Sequence, residues 1–177
     1  MAKTKWKLDE NHKSMEFVVK HMMISKVKGS FKDFEASIEA DPEELTTADI
    51  QFEVDLASIN TQNEDRDNHL RSGDFFDVEN HPKMIFKSTK VVRTGDGEYD
   101  VTGDLTIRGT TNQETFKATF EGAAKDPYGN DVVAFSAEGK VNRKEYGLTW
   151  NVPLEAGGVL VGEDVKFTIE TEALKAE

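Results

Sequence analysis

The residues best able to do chemistry concentrate in positions 60–77, which read NTQNEDRDNHLRSGDFFD. Arg66, His69 and Arg71 stand close together there, and guanidinium forks match the paired oxygens of a phosphate or carboxylate. His69 lies between Asp67 and Asp74, the composition of a general base with a carboxylate to orient it. A second polar group, Arg108, Asn142, Arg143 and Lys144, comes later in the chain. Arg66 also stands beside Asp67 and Arg143 near Glu145, and ion pairing is the commoner fate of a single arginine. Headgroup recognition and simple ion pairing both fit this pattern.

Other chemistries find little support. His12, His21, His69 and His81 are the candidate neutral metal ligands, and none has the paired spacing of an HExxH motif, so no metal site is expected. There is no GxSxG elbow and no glycine-rich phosphate loop. Cysteine is absent, which excludes disulfides and thiolate nucleophiles. No catalytic residue and no cofactor is expected.

The 60–77 segment interrupts a chain that otherwise alternates. Residues 63–72 suit a short helix, with Gly73 placed to stop it in a left-handed conformation. Phe75 and Phe76 follow at once, as a lid over a pocket or as plugs for a core. Elsewhere Met15, Phe17, Val19 and His21 share one parity, as do Phe34, Ala36, Ile38 and Ala40, and Ile50, Phe52, Val54 and Leu56. Further strands are predicted over 84–92, 99–107, 113–122, 132–142 and 165–171, which makes eight or nine. Turn residues fill the gaps, at Gly95, Asp96 and Gly97 and again at Asp126, Pro127, Tyr128, Gly129 and Asn130. Asp41 followed by Pro42 predicts one helical turn. With no repeat or linker to divide it, the chain reads as a single domain over residues 1–177, an all-β antiparallel barrel or sandwich.

Which of the two matters, because a closed barrel of about eight strands encloses space whereas a sandwich fills itself. On the inward parity of the later strands, Gly103, Ala118, Gly122, Ala137 and Gly139 interleave with Tyr99, Leu105, Phe116, Phe120 and Phe135. Small residues in that number leave an elongated apolar cavity, or else mark bends and close strand crossings.

The chain carries 22 basic and 34 acidic residues, a net charge of -12. A surface of that sign repels phosphate backbones and anionic bilayers, so nucleic acid is excluded as a partner and any anionic group must be met by a local basic cluster. No run approaches the ~20 apolar residues of a membrane span, and the opening MAKTKWKLDE lacks the apolar stretch of a secretion signal. A cytoplasmic location is the resulting expectation.

Ordered matches then accumulate. Trp6, Leu8, Asp9, His12 and Ser14 are followed by Phe17, His21, Gly29, Phe31 and Phe34. Asn60 and Thr61 lead into Arg66, Asp67, His69, Leu70, Arg71, Ser72, Asp74, Phe75, Phe76 and Asp77, with Pro82 and Phe86 beyond. Gly103, Asp104, Leu105, Thr106, Ile107, Gly109 and Thr111 spell GDLTIxGxT, and Asn142, Arg143, Tyr146, Gly147, Leu148, Val161, Gly162 and Val165 close the series. Across nearly its whole length the chain resembles the YceI-like family of lipid-binding proteins. The resemblance implies an extended, lipocalin-like antiparallel β-barrel with a short helical lid, holding a long-chain isoprenoid such as a polyprenyl phosphate or quinone precursor, or another apolar-tailed lipid. It also implies sequestration or transport as the role, and a homodimer. Two departures stand out: many relatives carry a secretion signal, and Arg108 stands where a histidine is frequent.

On this reading Phe17, Phe34, Phe75, Phe76, Phe86, Phe120, Phe135 and Trp150 line or close the cavity, and Arg66, His69 and Arg143 meet the headgroup. Two alternatives are an enzyme acting on an apolar isoprenoid-type substrate, with His69 as base, and a stress-related interaction protein whose barrel is filled.

Overall fold

The alternation becomes ten strands in the computed structural model, which describes residues 3–154 and 159–176. They are β1 (Thr4–His21), β2 (Ser25–Phe31), β3 (Phe34–Ala40), β4 (Asp49–Asp55), β5 (Ile59–Asn60), β6 (Lys83–Gly95), β7 (Glu98–Ile107), β8 (Thr110–Lys125), β9 (Asp131–Asn142) and β10 (Val161–Lys175). The one α-helix among the described residues, α1 (Glu64–Arg71), lies between β5 and β6. Strands β1, β3, β4, β6, β7, β8, β9 and β10 are hydrogen-bonded in that order, and antiparallel pairing of β10 with β1 closes them into an eight-stranded barrel. The choice between barrel and sandwich is settled by that last pairing.

β1 serves two partners on its other edge. Thr4, Lys5 and Trp6 pair with β3, whereas residues from Glu16 to His21 pair with β2. β2 and β3 are thus two segments of one wall, and the short β5 pairs only with Ser30 and Phe31 of β2. These divided walls account for ten strands where the sequence predicts eight or nine. At one end of the barrel stand the β1–β2 turn, α1 with residues 72–82, and the segment after β9. At the other end a 3-10 turn, Leu45–Thr47, takes the place of the helical turn predicted at Asp41 and Pro42.

The helix is capped as its sequence requires, the Asn63 side chain accepting from Arg66 N at 3.1 Å. Its end differs from expectation. Ser72 is the C-cap, in extended conformation, and its hydroxyl donates to His69 O at 2.5 Å. Gly73 is not left-handed; that conformation falls to Asp77, with φ of 50°.

The inward glycines prove to be seats for rings and backbone rather than voids. A Cβ at Gly139 would lie 2.5 Å from the Phe116 ring, and one at Gly29 would lie 2.3 Å from the Phe17 ring. At Gly103 the obstacle is main chain, with Lys87 O at 2.3 Å, beside the register shift between Ser88 and Lys90. Gly122 differs: its φ of 145° marks a bend with open space beside it.

Gly103→Ala is therefore expected to cost about 2 kcal/mol, since a carbonyl cannot turn aside. Gly139→Ala should cost less, because the Phe116 ring can rotate. Urea unfolding midpoints of the two variants check the order.

Candidate functional site

Period-two alternation around a closed barrel turns one face of every strand inward, and those positions enclose a cavity of about 260 Å³. Its wall is carbon almost throughout. Phe17 of β1, Phe52 of β4, Phe86 of β6, Phe116 and Phe120 of β8, Phe135 of β9 and Phe167 of β10 all face it. Ala118 and Ala137 are register partners on β8 and β9 and leave its middle open. A smaller apolar cavity of ~150 Å³ stays dry and takes up benzene, so this one favours an apolar guest over water.

Leu70, Phe75 and Phe76 close one end from α1 and the turn after it. Polar side chains of this segment fasten it down. Asp67, buried, accepts from Thr61 N at 2.9 Å and from Thr61 Oγ1 at 2.5 Å. Arg66 donates through Nε to Thr61 Oγ1 at 2.8 Å and through Nη2 to Thr61 O at 2.7 Å. Arg71 donates to Ala57 O at 3.0 Å and Ile59 O at 3.2 Å, which binds the helix to the chain entering and forming β5. Arg108, in the β7–β8 turn, donates to Phe75 O at 2.8 Å. His69 Nε2 lies 2.9 Å from Asp74 Oδ2, and the imidazole meets Trp150 and Phe75 edge-on, at 4.6 and 5.1 Å between ring centroids. Phe75 and Trp150 touch in turn at 5.4 Å, so three rings join the lid to the segment after β9.

Arg143 occupies the same end and lines the cavity, at 5% exposure. Its donors go to main-chain carbonyls: Leu148 O at 2.6 Å, Trp150 O at 3.1 Å, Gly162 O at 2.7 Å and Val161 O at 3.1 Å. It thereby stitches the 148–150 segment to the start of β10. Burial pushes the guanidinium below its usual range, with Glu163 acting the other way, yet an arginine stays protonated at any ordinary pH. No carboxylate oxygen lies within ion-pair distance of it among the described residues, so at this end of an apolar cavity a guanidinium is held by main-chain carbonyls, with Glu163 acting on it from farther off. Tyr146, with no exposed surface, lies beside it on the wall and donates its hydroxyl to Glu114. Burial, then that carboxylate, raise the phenol well above its ordinary value.

Of the eight apolar positions predicted, Phe17, Phe75, Phe76, Phe86, Phe120 and Phe135 stand on the cavity wall. Phe34 does not. It sits deeper in the core at 2% exposure, its ring 6.4 Å from Phe52, with Lys13 Nζ 4.7 Å from its centroid. Trp150 is set behind Phe75 and His69 rather than on the wall. Of the polar trio, Arg143 reaches the cavity, while Arg66 and His69 are engaged within the lid by Thr61 and Asp74. Phe31, Phe52, Tyr99, Phe116, Tyr146 and Phe167 are the other aromatic side chains on the wall. Phe52 and Phe116 stand on parities already readable as inward, and Phe167 alternates with Lys166 and Thr168. Tyr146 lies in a 3-10 turn (Arg143–Tyr146), where no alternation points to it.

The family model described as YceI-like domain matches residues 6–173. A UPF0312 protein of Staphylococcus epidermidis is 44% identical over 170 residues, 96% of each chain. The Campylobacter jejuni YCEI protein has a similar structure, with TM-score 0.76 and 34% identity over 89% of this chain and 90% of that one. A Saccharophagus degradans domain described as polyisoprenoid binding shares the fold at 13% identity, with TM-score 0.74 over 98% of this chain and 99% of that one.

Arg143→Ala removes the guanidinium from the carbonyls of Leu148, Trp150 and Gly162, leaves Val161 O with Asn151 Nδ2 as its side-chain donor, and should cost on the order of 3 kcal/mol. Hydrogen exchange should also rise across the 148–150 segment and at Val161, which separates this role from a purely ligand-facing one. For Tyr146 the sign follows from a folded-state value raised above the unfolded one. Its contribution is fully present below about pH 10 and is lost as pH climbs further. The stability difference between the parent protein and Tyr146→Phe should therefore hold steady to about pH 10 and shrink above it, as read by urea unfolding at a series of pH values.

Proposed function

The chain belongs to the YceI-like family, and from that premise we propose that its barrel binds and sequesters a chain-like apolar lipid of isoprenoid type, for transport rather than for chemical conversion. One observation carries the reading: a carbon-lined cavity runs from Tyr99 and Thr171 at one end to Arg143 and Tyr146 at the other, and Arg143 is the one cation among its described lining residues. A tail with an anionic or strongly polar head fits that polarity. The printed description of the Saccharophagus degradans domain as polyisoprenoid binding supports the same ligand class. Phe17, Phe75, Phe76, Phe86, Phe120 and Phe135 contact the tail in this reading, and Arg143 lies nearest the head.

Each methylene-sized unit taken from water contributes up to ~0.8 kcal/mol, less the cost of ordering a flexible chain. The cavity of about 260 Å³ is just below the ~300 Å³ at which pockets for drug-sized molecules begin. A long isoprenoid therefore enters only as the phenylalanine rings turn aside, and exchange runs through movement of the lid.

Native mass spectrometry of the protein from its own host, followed by organic extraction, tests the reading directly. The expected result is a stoichiometric isoprenoid released with unaltered mass. A clean apo mass, with no uptake of added polyprenyl phosphate, overturns it. Ala118→Trp, placing an indole across the middle of the cavity, should reduce uptake of a fluorescent prenyl probe at least tenfold while the protein remains folded by circular dichroism.

A further inference from the structure

The turn joining β1 to β2 presents its apolar side chains to solvent. Met22 is 43% exposed, Met23 58% and Ile24 85%. Met22 and Met23 hold φ of 54° and 62°, the left-handed region that bulky residues avoid, so these side chains stay outside at a conformational cost. Val152, 41% exposed, extends the patch: Met22 N donates to Leu160 O at 2.8 Å, and Leu160 N donates to Val152 O at 2.9 Å.

Behind this tip the outer faces of three strands carry lysines. Lys20 of β1 stands directly opposite Lys26 of β2. Val18 lies between Lys28 of β2 and Lys166 of β10, and Lys166 is opposite Lys140 of β9. All five lysines are exposed. Of the acidic residues around them, Asp164 pairs with Lys140 at 3.7 Å and Glu163 with Lys144 at 2.9 Å, while Glu16 and Glu138, one pair farther from the tip, border the cluster on its inner side. Like charges in direct cross-strand register oppose folding. Protection of a sheet edge would explain Lys26 and Lys28, since residues 25–29 of β2 pair on one side only among the described residues. It does not explain Lys20 or Lys166, whose strands are paired on both sides, nor an apolar tip left in water.

We propose that this end of the barrel docks onto an anionic lipid bilayer, the residues at 22–24 entering the interface and the lysines meeting headgroups. The spacing suits the task. Lys20 stands two residues before Met22, about 7 Å along a strand, so when the tip reaches the acyl boundary its ammonium lies at headgroup depth. The lysine cluster is a local reversal on a chain of net charge -12, confined to the β1–β2 side of this end because the lid beside it carries Glu64, Asp65, Asp74, Asp77 and Glu79, so it is the β1–β2 side that turns toward a negative surface. A second copy of the chain brings its own like-charged cluster. The inference is independent of which lipid fills the cavity.

Cosedimentation with vesicles of phosphatidylglycerol and phosphatidylcholine in equal parts, against pure phosphatidylcholine, tests it. The protein should partition onto the mixed vesicles alone, and binding should fall at least tenfold in about 1 M salt, where the Debye length is about 3 Å. Lys20→Gln with Lys26→Gln should lower partition at least tenfold, at about fivefold per lysine. Met23→Ser with Ile24→Ser should do the same, and neither double variant should lower the melting temperature or prenyl-probe uptake, the lysine variant melting slightly higher as its like-charge pair is removed. Failure to bind mixed vesicles, or binding that both variants retain in full, overturns the proposal. Self-association that these variants abolish, without vesicle binding, assigns the surface to a second copy instead.

Discussion

Everything in this molecule depends on the pairing of its outermost strands. β1 and β10 run antiparallel from Trp6 opposite Lys175 to His21 opposite Val161, and that ladder converts a meander into a closed surface. Closure fixes an inside, so each strand's alternation acquires a meaning it lacks in an open sheet. It also fixes the size of that inside: eight strands make a barrel wide enough for side chains and little else, so the space left over is decided residue by residue. Along β8 and β9 the division is plain, with Phe120 opposite Phe135 filling the lumen and Ala118 opposite Ala137 leaving it open.

The lid follows from the same closure. Between β5 and β6 the chain must cross the barrel end, and it does so with a helix whose polar face is occupied in holding position. Arg66, Asp67 and Arg71 bond to Thr61, Ala57 and Ile59, all within the stretch that leads into the helix. Local fastening of this kind leaves Phe75 and Phe76 free to point inward. On the far side the attachment is aromatic, through His69, Phe75 and Trp150, together with the Arg108 bond to the Phe75 carbonyl. The lid is anchored by hydrogen bonds on one flank and by ring packing on the other.

The strands, the short helix and most of the aromatic wall are readable in the sequence because alternation is a local signal and the closed barrel keeps it, whereas the closing β1–β10 pair joins residues too far apart in the chain for any local pattern to announce. Phe34 shows the limit: its parity is inward, but parity does not say which of two neighbouring inward rings reaches the lumen, and here Phe52 lines it while Phe34 is packed in the core beside it. The inward glycines were ambiguous for a related reason, since only the register shows that Gly139 faces the rings of Phe116 and Phe167. Arg143 was marked as a polar group of interest, yet its four carbonyl partners at Leu148, Trp150, Val161 and Gly162 belong to a loop and a strand start with no pattern of their own. Arg66 and His69 were equally visible as charges, and their engagement by Thr61 and Asp74 is a matter of helix geometry that composition does not carry.

Closure by β10 has a consequence for biosynthesis. A ribosome delivers β1 first and must then release almost all of the intervening chain before Val161 emerges. Until that moment β1 and β9 are both open edges, and the phenylalanines that later face the lumen line a curled, unsealed sheet. The binding chamber thus comes into existence only after translation has passed its last wall.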